Sequence, residues 1–249
     1  MKKDLSNLKK DLTKKGSRIP VILASTSPRR IDLMNQIRVD CYVEAPVSEE
    51  IAKPGEHPEK LVARLAREKA ESIESLVVSK YGNCLIISAD TIVVAPDGRT
   101  ILGKPKDAKD ARAMLRLLAG KTHLVYTGYC IRQSISGAAN GAINGAINGK
   151  KKSLKAKGAK GAKDNVSGRI LVRVVQSRVK IRNLSATMIR RYVATGEPMD
   201  KAGSYGAQGM GMAFVESIEG SYTNVVGLPM AEVVADLEKF NVNLFHWIK

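Results

Sequence analysis

The chain is poor in the side chains that most often announce a ligand. Only 4% of its 249 residues are aromatic, which leaves little material for the stacking platforms that hold single-stranded nucleic acids. Three cysteines (Cys41, Cys84, Cys130) and three histidines (His57, His123, His246) are scattered along the sequence. That scatter argues against a zinc site or a disulfide framework and fits a reducing, cytoplasmic compartment. No apolar run approaches the roughly 18 residues a membrane span needs. Acidic residues are also scarce: 24 Asp and Glu face 41 Lys and Arg, a net charge of +17. What is present in ordinary amount, 44% hydrophobic and 26% charged residues, excludes a wholly disordered chain and suits one large domain with a sizeable core.

A net charge of +17 points first to nucleic acid or an anionic membrane, but its placement weakens that reading. Residues 1–18 carry seven basic residues and two acids, and residues 150–163 carry seven lysines and no acid. These two segments hold +12 of the +17, and the remainder is ordinary for a soluble domain. Residues 1–18 read as a basic N-terminal extension, with Leu5, Leu8 and Leu12 at helical spacing. A mitochondrial presequence is the alternative, which the lysines and the acids Asp4 and Asp11 disfavour. Residues 134–168 contain a GAANGAINGAING near-repeat followed by a lysine-rich run. They read as a low-complexity surface insertion between two strands, with a polyanion-binding loop as the functional alternative.

The rest alternates strand and helix patterns, which predicts an α/β fold, and strands joined as hairpins predict a mixed sheet. Ile19–Ala24 is a short apolar strand; Ser27 and Pro28 open a helix to about Ile37; Cys41–Glu44 is a second strand. A long helix is expected over Pro58–Lys80. Cys84–Ser88 and Thr91–Ala95 are strand-like on either side of Asp90, and a helix spans Asp107–Leu118. Strands at Thr122–Gln133 and Ile170–Asn183 flank the insertion. Ser185 caps a helix to about Thr195, a strand is expected over Met212–Ile218, and a last helix over Pro229–Phe240.

Four segments carry chemistry. In ASTSPRR (24–30) a buried strand gives way to a helix N-terminus with two serines and two arginines, a suitable cradle for phosphate; a capped helix with solvated arginines is the plainer alternative. In ISADTIVV (87–94) Asp90 lies between apolar strand segments, where a carboxylate is costly unless it serves a metal, a proton transfer or an ion pair; an edge-strand Asp facing water is the alternative. Downstream, GRTILGKP (98–105) delivers Lys104. TGEPMDKAGSYGAQGMG (195–211) has five glycines in seventeen residues and offers Asp200, Lys201 and Gln208, without the P-loop pattern. On the long helix, Arg64, Arg67 and Lys69 either line a cleft or form a solvated face paired with Glu68 and Glu71.

Taken together, LASTSPRR, SADTIV, ILGKPKDAKDA, GKTH and the run from YVATGEPMDKAGSYGAQGMG to GSYTNVVGLPM resemble the Maf family of septum-formation-protein homologues. The resemblance runs from about residue 20 to 245; residues 1–18 and 134–168 have no counterpart. It implies an elongated mixed β-sheet with flanking helices, two lobes around a cleft, similar to inosine triphosphate pyrophosphatases. It implies hydrolysis of a nucleoside triphosphate to the monophosphate and pyrophosphate with a divalent cation, Mg²⁺ or Mn²⁺, by an enzyme that is commonly a homodimer. Carried over by motif, Asp90 matches the catalytic proton acceptor. Ser25, Arg29, Arg30, Lys69 and Lys104 match phosphate-side positions, and Glu50, with Asp90, matches an acidic position that helps hold metal. Arg29, Thr91 and Gln208 match the determinants of the dTTP/UTP subgroup; the 7-methyl-GTP subgroup lacks this Thr and Gln combination. A cell-division regulator or nucleic-acid binder using the basic segments is the competing class.

Overall fold

The computed structural model describes residues 19–49, 51–135 and 168–243. The basic extension 1–18, Glu50 and residues 136–167 of the insertion lie outside the described residues.

Seven strands form one sheet: β1 (Val21–Ala24), β2 (Cys41–Glu44), β3 (Cys84–Val94), β4 (Ile101–Leu102), β5 (Thr122–Ser134), β6 (Ile170–Ile181) and β7 (Val215–Glu219). Their order is β2-β1-β3-β5-β6-β7, with β4 beside β3. β1 runs parallel to β2 and β3, while β3, β5, β6 and β7 pair antiparallel. The sheet is therefore mixed, as the hairpin-joined strands predicted. Helices α1 (Pro28–Gln36), α2 (Pro58–Tyr81), α3 (Ala108–Leu118), α4 (Ala186–Ala194), α5 (Tyr222–Val226) and α6 (Met230–Glu238) flank it.

Strand parity sends alternate side chains to opposite faces. Cys84 and Ile86 of β3 pack with Ala66, Ala70 and Ile73 of α2, and further along Ile92 and Val94 meet Leu61 and Leu65 of the same helix. On the opposite face Leu85, Ile87 and Ala89 join Leu33 and Met34 of α1 and Val233 and Leu237 of α6. Past Asp90 that face changes partners: Val93 and Ala95 pack with Leu115 of α3 and with Ile189 and Tyr192 of α4. The two groups of helices on this face thus meet near the level of Asp90.

Local signals decide several boundaries. Asp107 and Ser185 accept hydrogen bonds from the amides of Asp110 and Met188 and so cap α3 and α4. Gly128, opposite Asp90 on β5, lies under α2: a Cβ there would sit 2.3 Å from the Val62 carbonyl oxygen. Its missing side chain lets the helix backbone rest directly on the sheet.

Three expectations are corrected. The strand expected in two pieces around Asp90 is one 11-residue strand, because its antiparallel ladder with β5 continues unbroken through Asp90 and Thr91. The strand expected from Met212 begins at Val215, since Gly209–Phe214 winds into a 3₁₀ turn. The last helix is shorter than Pro229–Phe240, and α5 before it was not anticipated.

Candidate active site

The connections around β1 create the site. β1 leads through α1 on one face of the sheet to β2, which returns through α2 on the other face to β3. The carboxyl end of β1 is thus a topological switch point, the place where open α/β sheets hold ligands. β1 ends at Ala24, paired with Ser88, and β4 joins β3 only at Val93 and Val94. Ala89–Ile92 therefore have no strand partner on that edge. A cleft of about 320 Å³ opens there.

All the site residues expected within the described residues line this cleft: Ser25, Arg29, Arg30, Lys69, Asp90, Thr91, Lys104 and Gln208. Five cations face it, the four expected ones and Lys201, against two carboxylates, Asp90 and Asp200. Such an excess favours a polyanionic ligand.

Asp90 is 5% exposed and Lys69 5% exposed. Lys69 Nζ donates to Asp90 Oδ1 at 2.6 Å. The pair excludes the alternative of a water-facing Asp90. The two readings of the long helix both hold, for different residues. Arg64 pairs with Glu56 and Glu68, and Arg67 with Glu71, on the outer face. Lys69 lies in the buried stripe between Leu65 and Ile73, one turn from each.

The turn after β1 is shaped for an anion. The Ser27 amide donates to Ser25 Oγ at 3.2 Å, while Ser27 itself gives α1 no side-chain cap. Ser27, Pro28 and Arg29 line the cleft, so the N-terminal end of α1, with the positive end of its dipole, opens onto it. Arg29 Nη1 pairs with Asp200 Oδ2 at 3.2 Å, and Lys201 Nζ with Asp200 Oδ1 at 2.6 Å. Burial opposes the charge on Asp200, but Lys201 and Arg29 outweigh it and hold its carboxyl below the usual range. Lys104 is exposed at the cleft edge, on a segment tied by the Gly203 amide donating to the Gly103 carbonyl.

Thr91 lies on the opposite face of β3 from Asp90. Arg30 Nη2 donates to Thr91 Oγ1 at 3.0 Å, and Arg30 Nε to the Gly227 carbonyl at 2.7 Å. Thr91 Oγ1 is 2.9 Å from Thr127 Oγ1, whose hydroxyl donates to the Asn224 carbonyl. Asn224 is fully buried and donates to Val125 O and Ser177 Oγ. Thr127, Asn224 and Gly227 are supporting residues that the sequence reading missed. Gly227 and Asn224 stand inside GSYTNVVGLPM, but their partners are remote in sequence.

The donor set fits a lightly held divalent cation. Among the described residues no cluster of three or more His, Cys, Asp or Glu could hold a metal alone. Mg²⁺, however, is commonly bound by one or two carboxylates with substrate phosphates and water, and the Asp90 carboxylate lies in a cleft suited to phosphates. Glu50, the second expected metal ligand, is outside the described residues.

A family profile described as Maf-like protein matches residues 20–240. A dTTP/UTP pyrophosphatase of Dictyoglomus thermophilum is 40% identical over 225 residues, covering 90% of this chain and 97% of that protein. Another, from Desulfotalea psychrophila, is 40% identical over 226 residues, 90% of this chain and 95% of that one. A solved nucleoside-triphosphatase/dITP/XTP pyrophosphatase of Mycobacterium abscessus is 12% identical with a TM-score of 0.32, covering 68% and 77% of the two chains. That overlay is too loose to weigh, and the fold rests on the strand pairing above. The profile match and the two near-full-length relatives agree with the motifs gathered at the cleft: the chain belongs to the Maf family.

Proposed function

We propose that this protein hydrolyses pyrimidine nucleoside triphosphates, dTTP, UTP and modified analogues, to the monophosphate and pyrophosphate. One observation carries the reading. The buried Asp90–Lys69 pair lies in a cleft whose other charged groups include Arg29, Arg30, Lys104 and Lys201, a carboxylate amid cations suited to a polyphosphate. The near-full-length relatives named as dTTP/UTP pyrophosphatases support the substrate class.

In this reading the amides at the start of α1, Ser25 and the arginines orient the phosphates, with Lys104 at the rim. Lys69 fixes Asp90 through Oδ1, so Oδ2 accepts the proton of the water that attacks the α-phosphorus. Pyrophosphate departs as the α–β anhydride bond breaks. Mg²⁺ or Mn²⁺, held by Asp90 together with Glu50 and the phosphates, would offset charge on the polyphosphate. Gln208 hydrogen-bonds the pyrimidine edge, and Arg29 and Thr91 complete the selection. Cys41, Cys84 and Cys130 form no disulfide with one another, which suits a reducing cytoplasm. Among the described residues no helix is long and apolar enough to cross a membrane. A homodimer is part of the same proposal and is checked by light scattering. We further propose the division of the chain as a basic extension over 1–18 and one pyrophosphatase domain over 19–249, interrupted at 134–168.

The test is pyrophosphate release from a panel of nucleotides with Mg²⁺ or Mn²⁺. Asp90→Asn should lower kcat by a factor of about 10²–10⁴ in a folded protein; near-normal turnover in that variant removes the assignment.

A further inference from the structure

The segment that presents Gln208 is closed around a single carboxylate that the proposed reaction does not use. Glu197 lies in the turn after α4. Gly196, with φ of +77°, reverses the chain there. Tyr192 on α4 donates its hydroxyl to Glu197 Oε1 at 2.9 Å. The Gly211 amide donates to the same oxygen at 2.9 Å, and the Met210 amide to Oε2 at 2.9 Å. The Tyr192 oxygen in turn accepts from the Gly206 amide at 3.3 Å. Both ends of the hexapeptide Gly206–Gly211 are thus tied to one Glu–Tyr pair, and Ala207 and Gln208, between the ties, line the cleft.

The packing leaves this loop no slack. A Cβ at Gly211 would stand 2.6 Å from both the Gly206 carbonyl oxygen and the Tyr192 hydroxyl, and one at Gly209, whose φ is +71°, 2.9 Å from Glu197 Oε2. Partial burial works against the charge of Glu197, yet the two amides and the hydroxyl outweigh it and hold the carboxyl below the usual range. Three donors converge on two acceptor oxygens. A carboxamide offers only one acceptor and turns an NH₂ towards at least one of those donors.

We infer that Glu197, with Tyr192, is the positioning residue for base selection: it holds the loop at the geometry in which Gln208 meets the pyrimidine. The inference rests on Gln208 reading the base. The side-chain ties bracket Gln208 and involve none of Arg29, Arg30, Lys69 or Lys104; the cleft cation Lys201 meets Glu197 through its backbone carbonyl, at 2.6 Å, which a Glu197→Gln change keeps.

The experiment measures kcat/KM for UTP and GTP, together with inhibition by inorganic tripolyphosphate, which has no base. Glu197→Gln should reduce the UTP-over-GTP ratio about tenfold or more, mainly through a higher KM for UTP. Tripolyphosphate inhibition should stay within about twofold of wild type. Gln208→Ala should collapse the same ratio, and the double variant should be no worse than Gln208→Ala alone. Tyr192→Phe removes one hydroxyl, should shift the ratio in the same direction by less, and supplies the measurement if Glu197→Gln does not fold. A wild-type ratio in Glu197→Gln, or in Tyr192→Phe where that variant stands in, beside a collapsed ratio in Gln208→Ala overturns this inference and leaves the Gln208 reading intact. An unchanged ratio in Gln208→Ala overturns the base-reading role and this inference with it. Loss of tripolyphosphate inhibition in step with UTP in Glu197→Gln shows a general collapse of the cleft and also overturns it.

Discussion

His123 makes the stability of this protein depend on pH in a calculable way. It sits on β5, 1% exposed, with Nε2 2.8 Å from the Tyr205 hydroxyl. Its other nitrogen, Nδ1, is buried with no hydrogen-bond partner. Burial pushes the imidazole down from 6.5 to about 4, since a charge there would lose its hydration. The folded value lies below the unfolded one, so the unfolded chain binds the proton more readily. The contribution is fully present above about pH 6.5 and is lost as pH falls through about 4. At about 1.4 kcal/mol per pH unit, that interval amounts to about 3 kcal/mol, a large part of a typical domain's stability. Carboxylates titrating in the same range are shared with a His123→Gln variant, so the difference between the two proteins isolates this residue. Urea unfolding followed by circular dichroism from pH 7.5 to 4 should show wild type losing about 3 kcal/mol more than the variant. Parallel stability curves would refute the reasoning and mean that the imidazole is hydrated or paired when protonated.

Two further substitutions probe the site's foundations. Lys69→Met leaves the Asp90 carboxylate buried without its ammonium and should cost about 3–5 kcal/mol in thermal or chemical melts, with Asp90→Asn in the same chain recovering part of the loss; additive losses contradict the pairing. Gly128→Ala forces a Cβ against the Val62 carbonyl and should destabilise by about 1–3 kcal/mol. Because α2 also carries Lys69, turnover should fall by about tenfold or more; unchanged melting and turnover would show that the helix yields freely.

Much of this was legible in the sequence because the signals are local. Asp107 and Ser185 announce their helices one turn ahead, and the SPRR turn places two arginines at a helix start whatever the sheet does. Lys69 was legible in principle: it falls four residues from both Leu65 and Ile73, on the stripe that meets the sheet, whereas Arg64 and Arg67 fall off it. The continuity of β3 through Asp90 was not, because the pairing that keeps Ser-Ala-Asp-Thr extended is supplied by a strand some forty residues on. Glu197 was hidden for a similar reason. Two of its partners lie 13 and 14 residues downstream, and the left-handed glycines Gly196, Gly203 and Gly209 help bring them back.

Asp90 and Thr91 are consecutive residues, and the pleat of one strand sends them to opposite sides of the sheet. One meets Lys69 on the long helix; the other meets Arg30 and the Gly227 turn. If bond breaking belongs to the first and choice of base to the second, the two properties are held apart by half a strand repeat. A lineage could then retune its substrate at Thr91 while the Asp90–Lys69 pair across the sheet stayed in place, so long as each replacement still accepted from Arg30.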